Sequence, residues 1–435
     1  MRAETARLSA GQSARSRVAS AGEPSRSEVL RSAICSETVR LCLEQSSHGL
    51  RALVLTGSLA RNEATFEGGE GRWSFWGDAE FLLVCDSTGS LPPAARLAAL
   101  RTRIEEALAR CGIACRIGLS AVRPTYLSNL QPHLFAYELR ACGRVLWGDP
   151  DILSLIPAFS PRDLSLEDAW RLLCNRMVEH LEVMEELADA SPPQSGRVHY
   201  RTVKLYLDMA TSFLIFAGAY APTYRERAEN LCVLARSGVL PAADGPFPLK
   251  KFSERVTACT QVKLLGPDRG GLSGIADGRE GGMELWEEAV SYARALWRWE
   301  LACLTGDRGR LSDWTLLKMW MRVQPIPHRL RGWLYVLRRG GWHRSWREWP
   351  RWAWNGWVAS PRYWVYAAAG ELLFRLPEVV GEERRKARWD RNWEGLHRLL
   401  PVRRGGTPET GLTNWRELAA DIVWNYHEFL EGTRL

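Results

Sequence analysis

The spacing of apolar residues changes near residue 150 and divides the chain into two parts. Before this point, short apolar runs alternate with segments whose apolar residues recur every three or four positions. RALVLTGS, AEFLLVCD and ACRIGLSAV are typical of strands, whereas VLRSAICSETVRLCLEQ and PPAARLAALRTRIEEALARCG are typical of helices. Alternation of this kind over about 120 residues indicates an α/β domain.

Four segments of this first part have less regular patterns. LARNEATF is predicted to form a short helix or a turn, and PTYLSNLQPHL to form a helix. EGGEGRWSFW is predicted to be an inserted loop that its glycines make mobile. FAYELRACGRVLWGD is predicted to be a strand or a pair of strands in a hairpin, with the turn at Cys142-Gly143.

Long helical patterns replace the strand patterns after Asp149. A helical domain is predicted over 160–305 from LSLEDAWRLLCNRMVEHLEVMEELADA, HYRTVKLYLDMATSFLIFAG and three further segments with helical periodicity. The flexible glycine-rich loop GPDRGGLSGIADGREGG interrupts it. Residues 306–435 are predicted to be a Trp/Arg-rich helical C-terminal region. Residues 1–28 are predicted to be a disordered tail, which leaves 29–155 for the first domain.

Length, charge and cysteine usage limit the class of protein. At 435 residues the chain is too long for one ordinary core, so two or three domains are expected. The net charge of +8 favours anionic partners such as nucleotides, nucleic acid or a membrane surface. Scattered cysteines without a CxxC pair are expected to be reduced. With no apolar signal-peptide core and no run of about 20 apolar residues, we expect a cytoplasmic protein without a transmembrane segment.

One stretch, GSLARNEATFEGGEGRWSFWGDAEFLLV, combines residues suited to phosphate and metal chemistry. Gly57 and Ser58 follow a predicted strand, and such a turn at the start of a helix offers N–H groups and a hydroxyl to a phosphate. Asp78 and Glu80 lie two residues apart in the next strand, so their side chains project to the same side. Because paired carboxylates repel unless a cation joins them, the stretch predicts a site for a nucleoside triphosphate with Mg²⁺.

The order Gly-Ser-x-Ala-Arg, then Gly-Asp-x-Glu-Phe in an apolar strand, resembles the signature of the nucleotidyltransferase superfamily. This superfamily includes the polymerase-beta-like and aminoglycoside nucleotidyltransferases, and the resemblance covers residues 35–150 and, loosely, the helical domain. It implies an α+β fold, α/β-like in element order, in which a small mixed sheet flanked by helices precedes an all-helical region. It also implies attack of an acceptor hydroxyl on the α-phosphate of a nucleoside triphosphate, with release of pyrophosphate.

The resemblance assigns roles to the residues of the motif. Gly57 and Ser58 would hold the triphosphate, and Asp78 and Glu80 would be the catalytic residues that ligate Mg²⁺. The segment between Ser58 and Asp78 is longer than is usual in the family. Its three large aromatic residues would either cap a bound base or pack on the sheet.

Two basic residues are further candidates for binding the nucleoside triphosphate. Arg61 would reach a phosphate from the first helical turn, or would be a solvated helix arginine. Lys204 lies where members with a helical partner domain often offer a basic residue to the triphosphate, or would be a helix-surface lysine.

The family usually carries a third carboxylate on the following strand, as a metal ligand or general base. Here that strand is ACRIGLSAV, with Arg116, Gly118 and Ser120 at the corresponding positions and no acid. Glu138, in the next segment, is the candidate substitute. An acid that converges on the carboxylate pair would favour an enzyme. Arg116 facing the pair would favour a binding protein, because a cation there competes with a metal ion.

The predicted function is therefore that of a bacterial nucleotidyltransferase. It would move a nucleoside monophosphate from a nucleoside triphosphate to a hydroxyl of a small-molecule or sugar acceptor, with Mg²⁺ as cofactor. The alternative is a degenerate, non-catalytic member that binds nucleotide and acts as a binding protein or as a tether to a membrane or polymer.

The segment 321–362 contains nine Arg, seven Trp and a single acidic residue, Glu348. Three interpretations stay open. The segment would be a Trp-rich helical core, a surface that lies on an anionic membrane, or a surface that binds nucleic acid or a phosphorylated glycan.

Overall fold

The protein has an α+β fold in which a small sheet precedes a long all-helical part. The computed structural model describes residues 25–46, 49–69, 71–86, 90–183, 195–238, 245–266, 278–307, 311–340, 349–384, 393–402 and 415–431. Of the predicted tail, residues 1–24 lie outside these segments, and the first helix begins at Arg26.

Five strands form one mixed sheet. They are β1 (Leu50–Thr56), β2 (Phe66–Gly69), β3 (Arg72–Cys85), β4 (Ile113–Val122) and β5 (Arg144–Gly148). β3 is the centre: β2 and β1 pair antiparallel with its successive halves, and β4 pairs parallel with it. β5 pairs antiparallel with β1.

Helices cover both faces of the sheet, because its strands are apolar on both sides. On one face, α1 (Arg26–Ser46) and α3 (Ala94–Arg110) share a core with the strands. On the other face, the strands pack against α4 (Pro124–Ser128), α5 (Leu134–Cys142) and the 3₁₀ turn Ile152–Leu155. Between β1 and β2 lies the single-turn helix α2 (Gly57–Ala60), and a second 3₁₀ turn, Pro161–Asp163, leads to the helical part.

The remainder of the described chain is helical. Its helices are α6 (Leu166–Leu181), α7 (Ser195–Phe216), α8 (Tyr224–Ser237), α9 (Leu249–Leu265), α10 (Gly278–Thr305), α11 (Asp313–Val323), α12 (Ile326–Gly340), α13 (Trp349–Val358), α14 (Pro361–Leu373), α15 (Leu376–Arg384), α16 (Glu394–His397) and α17 (Trp415–Glu431). One continuous core runs from α6 to α17, across the predicted domain boundary at residue 305. No helix in the described segments is long and apolar enough to cross a membrane.

The prediction of strands for FAYELRACGRVLWGD is wrong in its first half, which forms α5. His133 caps this helix, because its Nδ1 accepts a hydrogen bond from the backbone N–H of Ala136 at 3.1 Å. Ala136 and Leu139, three residues apart, are buried on the sheet side. The second half is β5, as predicted.

Three loop or helix predictions also need correction. EGGEGRWSFW is not a loop, since β2 and β3 pair there and the rings of Phe66 and Phe75 lie 5.2 Å apart. PTYLSNLQPHL is helical over α4 and at its last residue, Leu134, where α5 begins. The last five residues of the glycine-rich segment, 278–282, begin α10, Gly266 caps the end of α9, and residues 267–277 lie outside the described residues.

Candidate functional site

The Gly-Ser turn and the carboxylate pair meet at the end of the sheet where β1 stops, which we name the sheet edge. Gly57 follows β1 with a φ of +71°, a conformation that favours glycine. A Cβ built on Gly57 would lie 2.6 Å from Oε2 of Glu80, so no larger residue fits without moving that carboxylate. Glu80 pairs with Thr56 of β1 and with Gly118 of β4, which places it in the middle of the sheet. The sequence-predicted turn and acid are therefore in contact.

Asp78 lies beside Glu80 on the same face of β3. Both residues are exposed, and Ala79 between them is buried, as strand alternation requires. Arg116 of β4 is directly opposite Asp78, and its Nε lies 3.5 Å from Oδ1. The two side chains are 86% and 51% exposed, so solvent screens this ion pair and it contributes little to stability.

The exposed pair fits a Mg²⁺ ion only as a partial ligand set. Two carboxylates suit an ion that keeps several waters and takes further oxygens from substrate phosphates. The described residues contain no group of three His, Cys, Asp or Glu side chains that could hold a metal ion. On β4 the pair faces Arg116 and Gly118 rather than an acid.

Glu138 belongs to a different, buried cluster. Its Oε2 accepts a hydrogen bond from Nη1 of Arg61 at 2.6 Å, and its Oε1 accepts one from the Tyr220 hydroxyl at 2.6 Å. Arg227 also donates to Oε1, and Arg61 donates from Nε to Glu63 at 3.1 Å. We name these five residues, Arg61, Glu63, Glu138, Tyr220 and Arg227, the Glu138 cluster. Glu138 therefore does not converge on the exposed carboxylates.

Electrostatics keep Glu138 ionised despite its environment. Burial raises the pKa of this carboxyl. The guanidinium groups of Arg61 and Arg227 lower it by more than burial raises it, so the pKa lies below the ordinary value. The Arg61 side chain is only 7% exposed and contacts two carboxylates. A phosphate role for Arg61 stays a prediction, and one that would require this arginine to leave Glu138 or Glu63.

Two lysines approach the sheet next to the carboxylate strand. Tyr200 of α7 donates a hydrogen bond to the backbone carbonyl of Trp76, and the two rings pack edge to face at 4.6 Å. Lys204 Nζ lies 5.1 Å from the centre of the Tyr200 ring. Lys263 of α9 donates from Nζ to the Tyr200 hydroxyl at 3.0 Å. Because Trp76 precedes Asp78 by two residues, these contacts bring both lysines near the part of β3 that carries Asp78.

Both lysines are buried, and both basic and acidic groups surround them. Burial, and next Arg176, lower the pKa of Lys204 to about 8. Burial, and next Lys204, lower the pKa of Lys263 to about 7. The acid nearest in sequence to Lys204, Asp208, accepts a hydrogen bond from Nε of Arg176 instead. An added anion would therefore be attracted here and would restore the charge of both lysines.

The sequence reasoning missed Lys263 and Tyr200. A signal for Lys263 was present, because Phe252, Val256 and Cys259 form the buried stripe of α9 and Lys263 continues it at the next helical spacing. A lysine on a buried stripe is uncommon unless it is paired. Tyr200 carried no comparable signal, since its contacts with β3 depend on how α7 packs.

Comparison of the chain with models of protein families and with curated proteins found no match. The family membership that the motif implies is therefore argued from these residues alone.

Proposed function

We propose that the chain is a nucleotidyltransferase that binds a magnesium nucleoside triphosphate at the sheet edge. It would transfer the nucleoside monophosphate to a hydroxyl of a small-molecule or sugar acceptor. The observation that carries the proposal is the contact between the left-handed turn at Gly57 and the carboxylate of Glu80, with Asp78 exposed beside it. This juxtaposition joins the two parts of the motif and supports binding of the magnesium nucleoside triphosphate, and transfer is what the resemblance implies.

Binding of the triphosphate would use both parts of the molecule. The backbone N–H groups and the hydroxyl at Gly57 and Ser58 would contact phosphate oxygens. Lys204 and Lys263 would balance the negative charge from the helical side. Burial is the main cause of their lowered pKa values, and a bound anion would favour the charged form of both lysines.

The carboxylates supply the metal-binding part of the proposal. Asp78 and Glu80 would hold Mg²⁺ together with the phosphates, and the ion would neutralise charge that develops on the reacting phosphate. The backbone of Glu80 is held between β1 and β4, and Asp78 would have to release Arg116. The exposure of both acids leaves room for an acceptor to approach the same edge.

A second candidate function is nucleotide binding without turnover. It is favoured by Arg116, which faces Asp78 at the position where the family usually has its third acid. A cation there opposes a second metal ion and supplies no general base. In that case Arg116 would itself contact a phosphate, as its exposed guanidinium allows.

The decisive experiment measures binding and turnover on the same proteins. Calorimetry with Mg²⁺ and each of the four nucleoside triphosphates is paired with pyrophosphate release in a mixed pool of hydroxylated small molecules and sugars. The wild type is compared with Asp78→Asn/Glu80→Gln, which removes both charges and keeps the side-chain shapes. The matched control is Glu67→Gln/Glu106→Gln, which removes two exposed carboxylates from β2 and α3.

Each outcome distinguishes the candidates. Pyrophosphate release that is lost in Asp78→Asn/Glu80→Gln and kept in the control supports transfer. Mg²⁺-dependent binding without release favours the second candidate. If no nucleotide binds to the wild type, both candidates are wrong, and the sheet edge has another role.

A further inference from the structure

Helices α12 and α13 line an apolar groove that is open to solvent and lies far along the chain from the candidate site. The groove has a volume of about 350 Å³, and its walls include Leu330, Leu334 and Leu337 of α12 and Ala353 and Trp357 of α13. We name it the α12–α13 groove. Apart from Arg329, which is buried, the residues that line it are apolar or glycine.

The rims of the groove expose large apolar side chains. Trp354 and Trp357 are 71% and 73% exposed, and Leu330 and Leu334 are 54% and 55% exposed. Half of the large exposed apolar side chains in the described part of the chain lie between residues 319 and 357. Monomeric soluble proteins rarely gather so much apolar surface in one place unless it contacts a partner.

This exposure is not the result of loose packing. Trp333 of α12 is buried and donates from Nε1 to the carbonyl of Ala359 at 2.8 Å, and a Cβ at Gly356 would lie 3.1 Å from its ring. Trp352 of α13 is also buried and donates to the carbonyl of Pro401 at 2.8 Å. The interpretation as a Trp-rich core is thus correct for Trp333 and Trp352, and the exposed tryptophans face the other way.

Arginines border the apolar stripe of α12. Leu330 and Leu334 are four residues apart and lie on one face, and at 100° per residue Arg331 and Arg338 fall immediately beside that face. Both arginines are exposed, as is Arg322 at the end of α11. The sequence 321–362 contains only one acidic residue against nine arginines, and the three arginines named here are exposed positive charges beside the stripe.

We propose that the α12–α13 groove and its exposed rims dock on the surface of an anionic lipid bilayer. An apolar stripe bordered by arginines, with tryptophans at the margin, matches the acyl boundary and the phosphate layer of such a surface. α12 would lie along the bilayer plane without crossing it. This docking does not depend on the proposed nucleotide function.

Two other occupants fit these observations less well. A second copy of the chain would bring two arginine borders together, and like charges oppose that contact. Single-stranded nucleic acid would use stacking on aromatic rings, whereas Leu330 and Leu334 offer aliphatic surface that does not stack on bases.

The test is co-flotation of the full chain with vesicles of phosphatidylcholine, with or without phosphatidylglycerol. Two variants test the apolar and the electrostatic contribution to lipid binding separately. Trp354→Ala/Trp357→Ala removes apolar area, and Arg331→Gln/Arg338→Gln removes charge. The matched controls are Val233→Ala/Leu265→Ala, which are similarly exposed at 55% and 57%, and Arg101→Gln/Arg110→Gln on α3. Circular dichroism checks that every variant is folded.

We expect binding to the anionic vesicles only, weakened at least about tenfold by each test variant and less than about twofold by each control. Equal binding to neutral vesicles, or test variants that behave like the controls, overturns the proposal. So does an absence of vesicle binding. In that case the further results to look for are a dimer, or binding of a single-stranded oligonucleotide, that Trp354→Ala/Trp357→Ala abolishes. Those results assign the surface to a second copy or to nucleic acid.

Discussion

The exposed carboxylates of β3 and the buried Glu138 cluster both combine acids with arginines, but the first are open to solvent and the second is closed in the interior. At the sheet edge, Asp78 faces Arg116 at 3.5 Å in solvent, and the pair is open to a ligand. In the Glu138 cluster, Arg61 and Arg227 close around Glu138, and a tyrosine hydroxyl completes its shell.

The difference lies in what would replace each partner if it were removed. Water can solvate Asp78 after the loss of Arg116, whereas it does not readily reach a guanidinium buried in the Glu138 cluster. Charges that satisfy one another in the interior hold the fold, and charges left to solvent are available for ligands. Residue type and spacing alone do not separate the two cases.

The largest effect is expected from Glu138→Gln. This change leaves Arg61 and Arg227 buried without a full counter-charge, and the free energy of unfolding should fall by about 3–5 kcal/mol. Urea unfolding measures the loss, with Glu67→Gln as the exposed control, for which a change below about 0.5 kcal/mol is expected.

The same variant separates a structural Glu138 from a catalytic one. If Glu138 served as the third carboxylate, Glu138→Gln would abolish nucleotide turnover while the free energy of unfolding stayed near that of the wild type. That result would assign Glu138 the same role as the exposed carboxylates, and burial would no longer separate structural from ligand-binding acids in this protein.

The second effect concerns the pH dependence of stability. In the unfolded chain Lys263 stays protonated to about pH 10, whereas the folded chain, where its pKa is about 7, loses this proton earlier. Between these values the unfolded state binds more protons, so this lysine makes the free energy of unfolding rise with pH. The difference between wild type and Lys263→Met isolates its contribution from the other titrating groups.

That difference should increase by roughly 1 kcal/mol per pH unit from pH 7 to pH 9. Urea unfolding at several pH values measures it, and Lys250→Met, at an exposed position on the same helix, should show no trend. A difference that is constant with pH would mean that Lys263 is solvated, and that the region of the two lysines beside Trp76 is screened like the sheet edge.

The sequence predicted much of the fold and the exposed half of the site, for identifiable reasons. Strand alternation placed Asp78 and Glu80 on one face, and the apolar runs located β1, β3 and β4. It failed at α5, where the helix depends on the His133 cap and on burial against the sheet. It also left Arg61 and Glu138 as ligand candidates, because their pairing joins α5 to residues that follow β1 and is set by packing.

The third effect is a proton uptake that accompanies nucleotide binding, if the proposed function is correct. At pH 8 the pKa of about 8 leaves Lys204 partly neutral, and Lys263 is mostly neutral. A bound triphosphate raises both pKa values, so roughly one proton should be taken up. Calorimetry in two buffers with different ionisation enthalpies measures the number. Uptake should vanish in Lys204→Met/Lys263→Met, and an equal uptake in that variant would locate the anion elsewhere.

The smallest effect is expected at the ion pair between Arg116 and Asp78. Arg116→Ala removes an exposed ion pair worth less than about 1 kcal/mol, so the free energy of unfolding should hardly change. If Asp78 holds Mg²⁺ as proposed, it then loses a competing cation, and the affinity for Mg²⁺ should rise by up to about fivefold. Calorimetric titration of Mg²⁺ in the presence of nucleotide measures this, with Arg123→Ala, just beyond β4, as the control. If nucleotide affinity falls instead, Arg116 itself binds phosphate, which favours binding without turnover. The sheet edge would then be a cationic site in which Asp78 pairs with Arg116.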